Sequence, residues 1–399
     1  MNETPTLIAD GRALDSAIAA MADAPFLAMD TEFLRESTYY PQLCLIQLAS
    51  PESIWLIDPL VMGDLAPLWD LLADWSRPLV LHSGEQDLEL MHLACRRLPP
   101  QIFDTQMAAA LLGMGEQIGY ATLVSELCDV QLDKSHSRTD WSRRPLDPEQ
   151  LVYAADDVRY LVDIYPRLRA RLETLGRADW LDEDFAALSD PTRFCMDDDA
   201  QWRRVKGHQR LKGRQLAVLQ ALAAWRERNA RDADCPRRWV LPDELLVDLS
   251  RSMPHNIGQM ARFRGWPRDS LNRYGESLLE AIRNAVGRPP DQWPRLERSD
   301  RPTAEEEALL ALLQATVRQC AAARNISVNS LSSSADLLAL LRGERNLPLL
   351  KGWRAHVVGH ILQDMLAGRC ALTVQDGRVE LIQRDPAGPD VNETGGNRT

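Results

Sequence analysis

Long apolar runs are missing from these 399 residues. No window reaches the ~18 uninterrupted apolar residues of a transmembrane helix, which excludes a helical membrane span and membrane partners of that kind. The opening Met1-Asn-Glu-Thr-Pro-Thr6 lacks a basic stretch followed by an apolar one, so no secretory signal is expected and the cytoplasm is the expected location. Paired cysteines are missing too. Cys44, Cys95, Cys128, Cys195, Cys235, Cys320 and Cys370 are scattered, odd in number and free of any Cys-x-x-Cys, which speaks against a disulfide framework and a zinc site. No Gly-x-x-x-x-Gly-Lys-Ser/Thr loop occurs, which removes a helicase motor. Lysine is scarce, 4 residues against 42 arginines, a bias that genomic base composition alone can produce. Positive charge is also in deficit: the net charge is −12, which at first sight speaks against a polyanionic partner. The average hides a partition. Residues 201 to 290 hold 18 Lys+Arg against 9 Asp+Glu, a net +9 that leaves −21 for the remainder.

The length is too great for one ordinary core and implies two or three domains, and 45% hydrophobic with 26% charged residues is a globular composition. Residues 26 to 33, 43 to 49, 53 to 58 and 78 to 83 read as four strands, apolar and bounded by turn residues such as Pro51 and Pro78. Half-buried helices are expected over 65–75, 85–95, 105–112, 122–129 and 147–175. Periodicity by itself says only α/β. From Trp202 onward no convincing strand is expected. Residues 215 to 230 form an amphipathic helix that leads to Pro242 and Asp243, a second helix start, and residues 257 to 263 complete a compact helical unit. Residues 303 to 372 repeat that plan more loosely, with helices over 305–324, 334–343 and 352–366. The joint at 287–294 is proline-rich, and the tail from Arg384 to Thr399 is rich in Gly, Pro, Asn and Asp and is expected to be disordered.

Acidic residues supply the chemistry. In Phe26-Leu-Ala-Met-Asp-Thr-Glu-Phe33 a strand's period of two sends Asp30 and Glu32 to one face and Thr31 to the other. Two like charges side by side invite a cation, although an Asp-x-Glu alone is more often a solvated strand edge. Asp87 follows Gly84 where a strand breaks into a helix, and alone it reads as an ordinary first-turn carboxylate. In Tyr153-Ala-Ala-Asp156-Asp157 an i,i+4 spacing puts Tyr153 and Asp157 on one helix face and turns Asp156 away. Four carboxylates and a phenol from a strand and two helices can converge, and hard oxygen donors suit Mg²⁺ or Mn²⁺ rather than zinc.

The order Asp-x-Glu, Asp, Tyr-x-x-x-Asp resembles the tyrosine-bearing variety of the DEDD exonucleases. The runs Asp30 to Leu48, Leu132-Asp-Lys-Ser135, Asp140-Trp-Ser-Arg-Arg-Pro-Leu146 and Tyr153 to Val158 are similar to bacterial ribonuclease D over residues 5 to 375, with no expected catalytic position substituted. That resemblance implies a ribonuclease-H-like α/β exonuclease domain over 1–200, an all-α HRDC domain over 201–290, a second, diverged HRDC-like domain over 300–383, and a tail over 384–399. It further implies a metal-dependent 3′-5′ exoribonuclease that trims structured RNAs such as transfer RNA precursors and releases 5′ mononucleotides. Two divalent ions, Mg²⁺ or Mn²⁺, ~3.5–4 Å apart, activate water and offset leaving-group charge in such hydrolysis. Asp30 is expected to bridge them, Glu32 and Asp157 to complete the site of the attacking water, and Asp87 to act on the second ion. Tyr153, with an ordinary phenol pKa of ~10, is expected to orient that water rather than deprotonate it; its alternative is a core-packed aromatic.

Weaker candidates follow. Phe33 and Leu34 either stack on the terminal base or pack in the core. Lys134, Arg138 and Arg144 either touch substrate phosphates or belong to a solvated loop. His82, Asp58 and Asp104 read as structural. The basic 201–290 segment either holds the RNA body or docks on the catalytic domain. RNA is the expected partner and a monomer the expected state. The alternatives are a DNA exonuclease of the same superfamily, because the carboxylate set does not see a 2′ hydroxyl, and a nucleic-acid-binding scaffold without catalysis.

Overall fold

The computed structural model describes residues 4–133, 139–296 and 301–384. The N-terminal half is a six-stranded sheet with helices on both faces. In chain order come β1 (Thr6–Ile8), α1 (Gly11–Ala22), β2 (Leu27–Leu34), β3 (Gln42–Ala49), β4 (Ile54–Ile57) and α2 (Ala66–Ala73). There follow β5 (Leu79–Leu81), α3 (Glu85–Cys95), β6 (Ile102–Asp104), α4 (Thr105–Leu111), α5 (Tyr120–Cys128), α6 (Pro148–Thr174) and α7 (Asp182–Leu188). The strand order is β1-β4-β3-β2-β5-β6. β2-β3 and β3-β4 are antiparallel, whereas β1-β4, β2-β5 and β5-β6 are parallel. The sheet is therefore mixed, because helical crossovers bring β5 back beside β2 and β6 beside β5. The three-residue strands β1 and β6 were not expected from the sequence, because runs that short carry almost no periodic signal; α1 was not expected either, although its twelve residues bury Leu14, Ala17 and Met21 at helical spacing behind the Asp10 cap.

Alternation along β2 divides the core. Leu27 and Met29 pack with Ile46, Leu48, Ile57 and Leu81 on one face. Phe26 and Ala28 pack with Leu45, Ala49, Leu56, Val80 and the apolar side of α6, including Ala154, Val158 and Leu161, on the other. α6 starts sharply. Pro148 occupies its first turn, and Asp147 and Gln150 form a reciprocal capping box.

The C-terminal half is helical, as expected, with one departure. α8 (Arg214–Asp232), α9 (Arg237–Val240), α10 (Asp243–Ser252), α11 (Ile257–Met260) and α12 (Ser270–Val286) enclose one core built on Leu219, Leu222, Leu246, Leu249 and Leu278. α13 (Ala304–Arg324), α14 (Val328–Leu331), α15 (Ser334–Leu341) and a helical run over 352–366 enclose another. The departure is an antiparallel hairpin, β7 (Cys370–Gln375) and β8 (Arg378–Gln383). Its turn is Asp376-Gly377, both residues with positive φ (50° and 76°), the dipeptide that a two-residue hairpin turn prefers. The hairpin thus overturns the expectation of no strand after Trp202, and the Asp-Gly dipeptide is its local signal. Lys134, Arg138 and residues 385–399 lie outside the described residues.

Both helical units are fastened to the exonuclease domain. The loop after β2 carries Tyr39, 8% exposed, whose hydroxyl donates to Glu227 of α8. Arg237 grips the same carboxylate through Nε and Nη2, each at 2.6 Å, and its guanidinium lies 4.9 Å from the Tyr39 ring centre. The Asp234 carboxylate accepts from the backbone N–H groups of Tyr39 and Tyr40 at 3.0 and 3.2 Å. Glu227 is 1% exposed, and burial pushes its carboxyl up while Arg237 and Tyr39 outweigh that and hold it below the usual range. Glu227→Ala leaves the buried Tyr39 phenol without its acceptor and the partly exposed Arg237 guanidinium without its partner, so a loss of about 1–2 kcal/mol is expected in urea unfolding. The second unit docks by stacking Trp353 on Trp180 (4.7 Å, 8° between planes), by Arg354 on Asp184 at 3.0 Å, and by Ser327 N–H donating to the Ala110 carbonyl at 3.1 Å.

Candidate active site

β2 outruns its neighbour. β5 pairs only with Leu27 and Ala28, so from Asp30 onward one edge of β2 lies beyond the end of β5. The chain leaves β5 through Ser83, φ 57°, and Gly84, whose N–H donates to Asp104 Oδ2 at 3.0 Å. A Cβ on Gly84 would lie 2.6 Å from the Leu81 side chain, so only glycine permits this tight start of α3. The first turn of α3 then brings Asp87, 7% exposed, against β2, where the Thr31 hydroxyl donates to its carboxylate. Thr31 points to the opposite face from Asp30, as alternation requires, and that is the face α3 covers. Its role in holding Asp87 has no local signal, because the partner lies 56 residues away.

Asp30 and Glu32 project to the α6 side, where Tyr153 and Asp157 sit one helical turn apart. The four carboxylates act on each other. Asp30 is pushed well above the usual carboxylate range by burial and then by Asp87, Asp157 and Glu32. Glu32 rises to about 8, first by burial and then through Asp157 and Asp87. Asp157 rises to about 7 through burial, Asp156 and Asp87. Asp87 rises to about 6 by burial, restrained by the Thr31 hydrogen bond. Among the described residues no three of them close into a ready ligand cage. The site is instead one buried acid, Asp87, facing three half-buried ones, whose mutual repulsion a divalent cation would remove, and its all-oxygen donors fit a hard ion.

Burial raises the Tyr153 phenol, and Asp157, Glu32 and Asp30 raise it further. It therefore stays protonated at neutral pH, able to donate a hydrogen bond and unfit to take a proton. Its ring also lies 6.0 Å from that of Trp141 in the core. A cavity of about 440 Å³ opens beside Tyr153 and Asp157, lined also by Leu132, Pro148, Val152 and Asp156. Tyr120, at the start of α5, also faces this site without any local signal in its spacing. It is half-buried, its hydroxyl donates to the Asp156 carbonyl at 2.7 Å, and desolvation and then the charges of Asp157 and Asp30 raise its pKa.

Other candidates resolve differently. Arg144 is not free to meet a phosphate: Nε and Nη2 bind Asp58, and its remaining bonds go to the carbonyls of Trp141, Arg143 and Cys44. Arg144→Ala strands Asp58, 3% exposed, and is expected to cost about 3 kcal/mol of stability while the KM for RNA stays at the parent value. Leu34 packs against the core under α6, whereas the half-buried Phe33 carries Arg35 5.9 Å from its ring centre, next to a bulge between Glu32 and Phe33. His82 is satisfied by Thr105 Oγ1 at 2.9 Å and the Ile118 carbonyl at 3.0 Å. Asp104 caps α4. Asp156 turns to Arg159 at 2.9 Å.

Two families match the chain: a 3′-5′ exonuclease family over residues 5–173 and the HRDC domain over residues 215–282. Ribonuclease D of Gluconacetobacter diazotrophicus is 39% identical, over 95% of this chain and 97% of its own length. Ribonuclease D of Acidiphilium cryptum is 38% identical, over 95% and 97%. The crystal structure of Escherichia coli RNase D, described as an exoribonuclease involved in structured RNA processing, superposes with a TM-score of 0.80 at 33% identity, covering 92% of this chain and 99% of that one. A ribonuclease-H-like exonuclease domain followed by a helical HRDC region, matched from end to end, places this chain in the ribonuclease D family, as a 3′-5′ exoribonuclease.

Proposed function

We propose that this exoribonuclease trims the 3′ ends of structured RNAs, transfer RNA precursors among them, and releases 5′ mononucleotides, with Asp30, Glu32, Asp87 and Asp157 holding two divalent ions, Mg²⁺ or Mn²⁺. The observation that carries the reading is the convergence of these four acids from β2, α3 and α6, each held above its ordinary pKa by burial and, for Asp30, Glu32 and Asp157, by the facing carboxylates. Bound ions of this kind lower the pKa of a water and offset charge on the leaving oxygen. The chain's own part is positional. Asp30, central to the other three charges, is the shared ligand, and Glu32 and Asp157 flank the attacking water. Asp87, pinned by Thr31, serves the leaving-group side, and the protonated Tyr153 hydroxyl orients the water. Phe33 borders the terminal base, and Lys134 and Arg138 meet the backbone near the cut.

We read residues 1–200 as the catalytic unit, 201–290 as the HRDC domain and 300–383 as a diverged second copy. In support, α13, α14 and α15 repeat the long, four-residue and middle helices of α8, α9 and α10. The first HRDC unit docks on the catalytic domain through Glu227 and still exposes Arg262, Arg264 and Arg268, in a stretch from 249 to 268 without one acid. That favours contact with the RNA body. One chain carries the whole acidic set, and we read it as a cytoplasmic monomer.

The test is 3′-extended transfer RNA beside matched single-stranded DNA, each in Mg²⁺, Mn²⁺ or EDTA. Stepwise RNA shortening lost in EDTA is the expected result. Faster shortening of DNA would give the site to the DNA exonuclease reading.

A further inference from the structure

Directly opposite Asp30 on β3 stands Gln47, and across β4 from Gln47 stands Leu56. Gln47 is 0% exposed, and neither its amide nitrogen nor its amide oxygen has a hydrogen-bond partner. Its neighbours on the same face, Leu45, Ala49 and Leu56, are apolar and equally buried. A leucine here would complete an apolar layer. An unpaired buried amide instead costs about 1–3 kcal/mol, so it needs a reason. By register Asp30 is the only polar side chain directly across from it, and opposed residues in an antiparallel pair have Cβ atoms about 4.5–5.5 Å apart, within reach of a glutamine.

We infer that Gln47 is a positioning residue for Asp30: with a divalent cation on the Asp30 carboxylate, the Gln47 amide N–H would donate to one carboxylate oxygen and fix the orientation of the other. The inference rests on the metal-site reading above. Partners behind a metal's own ligands typically matter by 10–100-fold in metal affinity.

Gln47→Leu tests this in the full chain, with thermal unfolding followed across a Mg²⁺ titration. In EDTA the variant is expected to melt at or above the wild-type temperature, since it removes an unpaired amide. The Mg²⁺ needed for half of the metal-induced rise is expected to increase at least tenfold, while the KM for RNA at saturating Mg²⁺ stays unchanged. Gln47→Met gives a second unbranched apolar replacement should leucine overpack the layer. A Mg²⁺ midpoint equal to wild type in both variants overturns the role of Gln47, as does a variant that melts lower in EDTA with its Mg²⁺ midpoint intact, which marks a structural amide. A wild-type chain with no Mg²⁺-dependent shift overturns the metal site itself, a distinct failure.

Discussion

Asp30→Asn leaves a folded chain that no longer shortens RNA, with activity at least about 10³-fold down in Mg²⁺ or Mn²⁺. Asp30 is the acid that feels all three of the others, so it is the one whose charge any cation among them must share. Asparagine keeps its size and its place on β2 while removing that charge. The same change relieves repulsion. In EDTA at pH 8 the variant is therefore expected to melt at a higher temperature than the parent, the opposite of what loss of a stabilising residue produces. The paired readout is decisive: a variant that loses activity and also melts lower in EDTA has lost its fold, and one that keeps its activity refutes the site.

The second large effect is on stability against pH. Asp87, Asp157 and Glu32 titrate near 6, 7 and 8 in the folded chain against ordinary values of 3.8, 3.8 and 4.5. Folded values above unfolded ones mean that between those limits the unfolded chain holds fewer protons than the folded one. Stability conferred by the protonated acids is then full below about pH 4 and falls as pH rises, the loss being complete above about pH 8. A divalent ion binds the ionised groups, so its stabilisation grows across the same window. Melts of the wild-type chain at pH 5, 6.5 and 8, with EDTA or with Mg²⁺, are expected to show a small Mg²⁺ shift at pH 5 and a large one at pH 8. Equal shifts at the two ends would mean that the acids do not hold the ion.

What the sequence shows directly of the candidate site is written in local spacings. Two residues along a strand and four along a helix decide a shared face whatever the rest of the chain does, which is why Asp30 with Glu32, and Tyr153 with Asp157, could be read off directly. The helices over Glu85–Cys95 and Pro148–Thr174 were foreseen almost to the residue, since each begins at a glycine or proline and carries a sustained period. Tertiary structure alone decided what those faces meet. Only the crossover that sets β5 beside β2 brings Asp87 under the control of Thr31, and only the Asp58 carboxylate, 86 residues away, takes Arg144 from the substrate. Tyr120 and Gln47 carry no local signal for the same reason: each is defined by its neighbour on another element, α6 for Tyr120 and β2 for Gln47, and periodicity names the face a side chain takes without naming what lies opposite it.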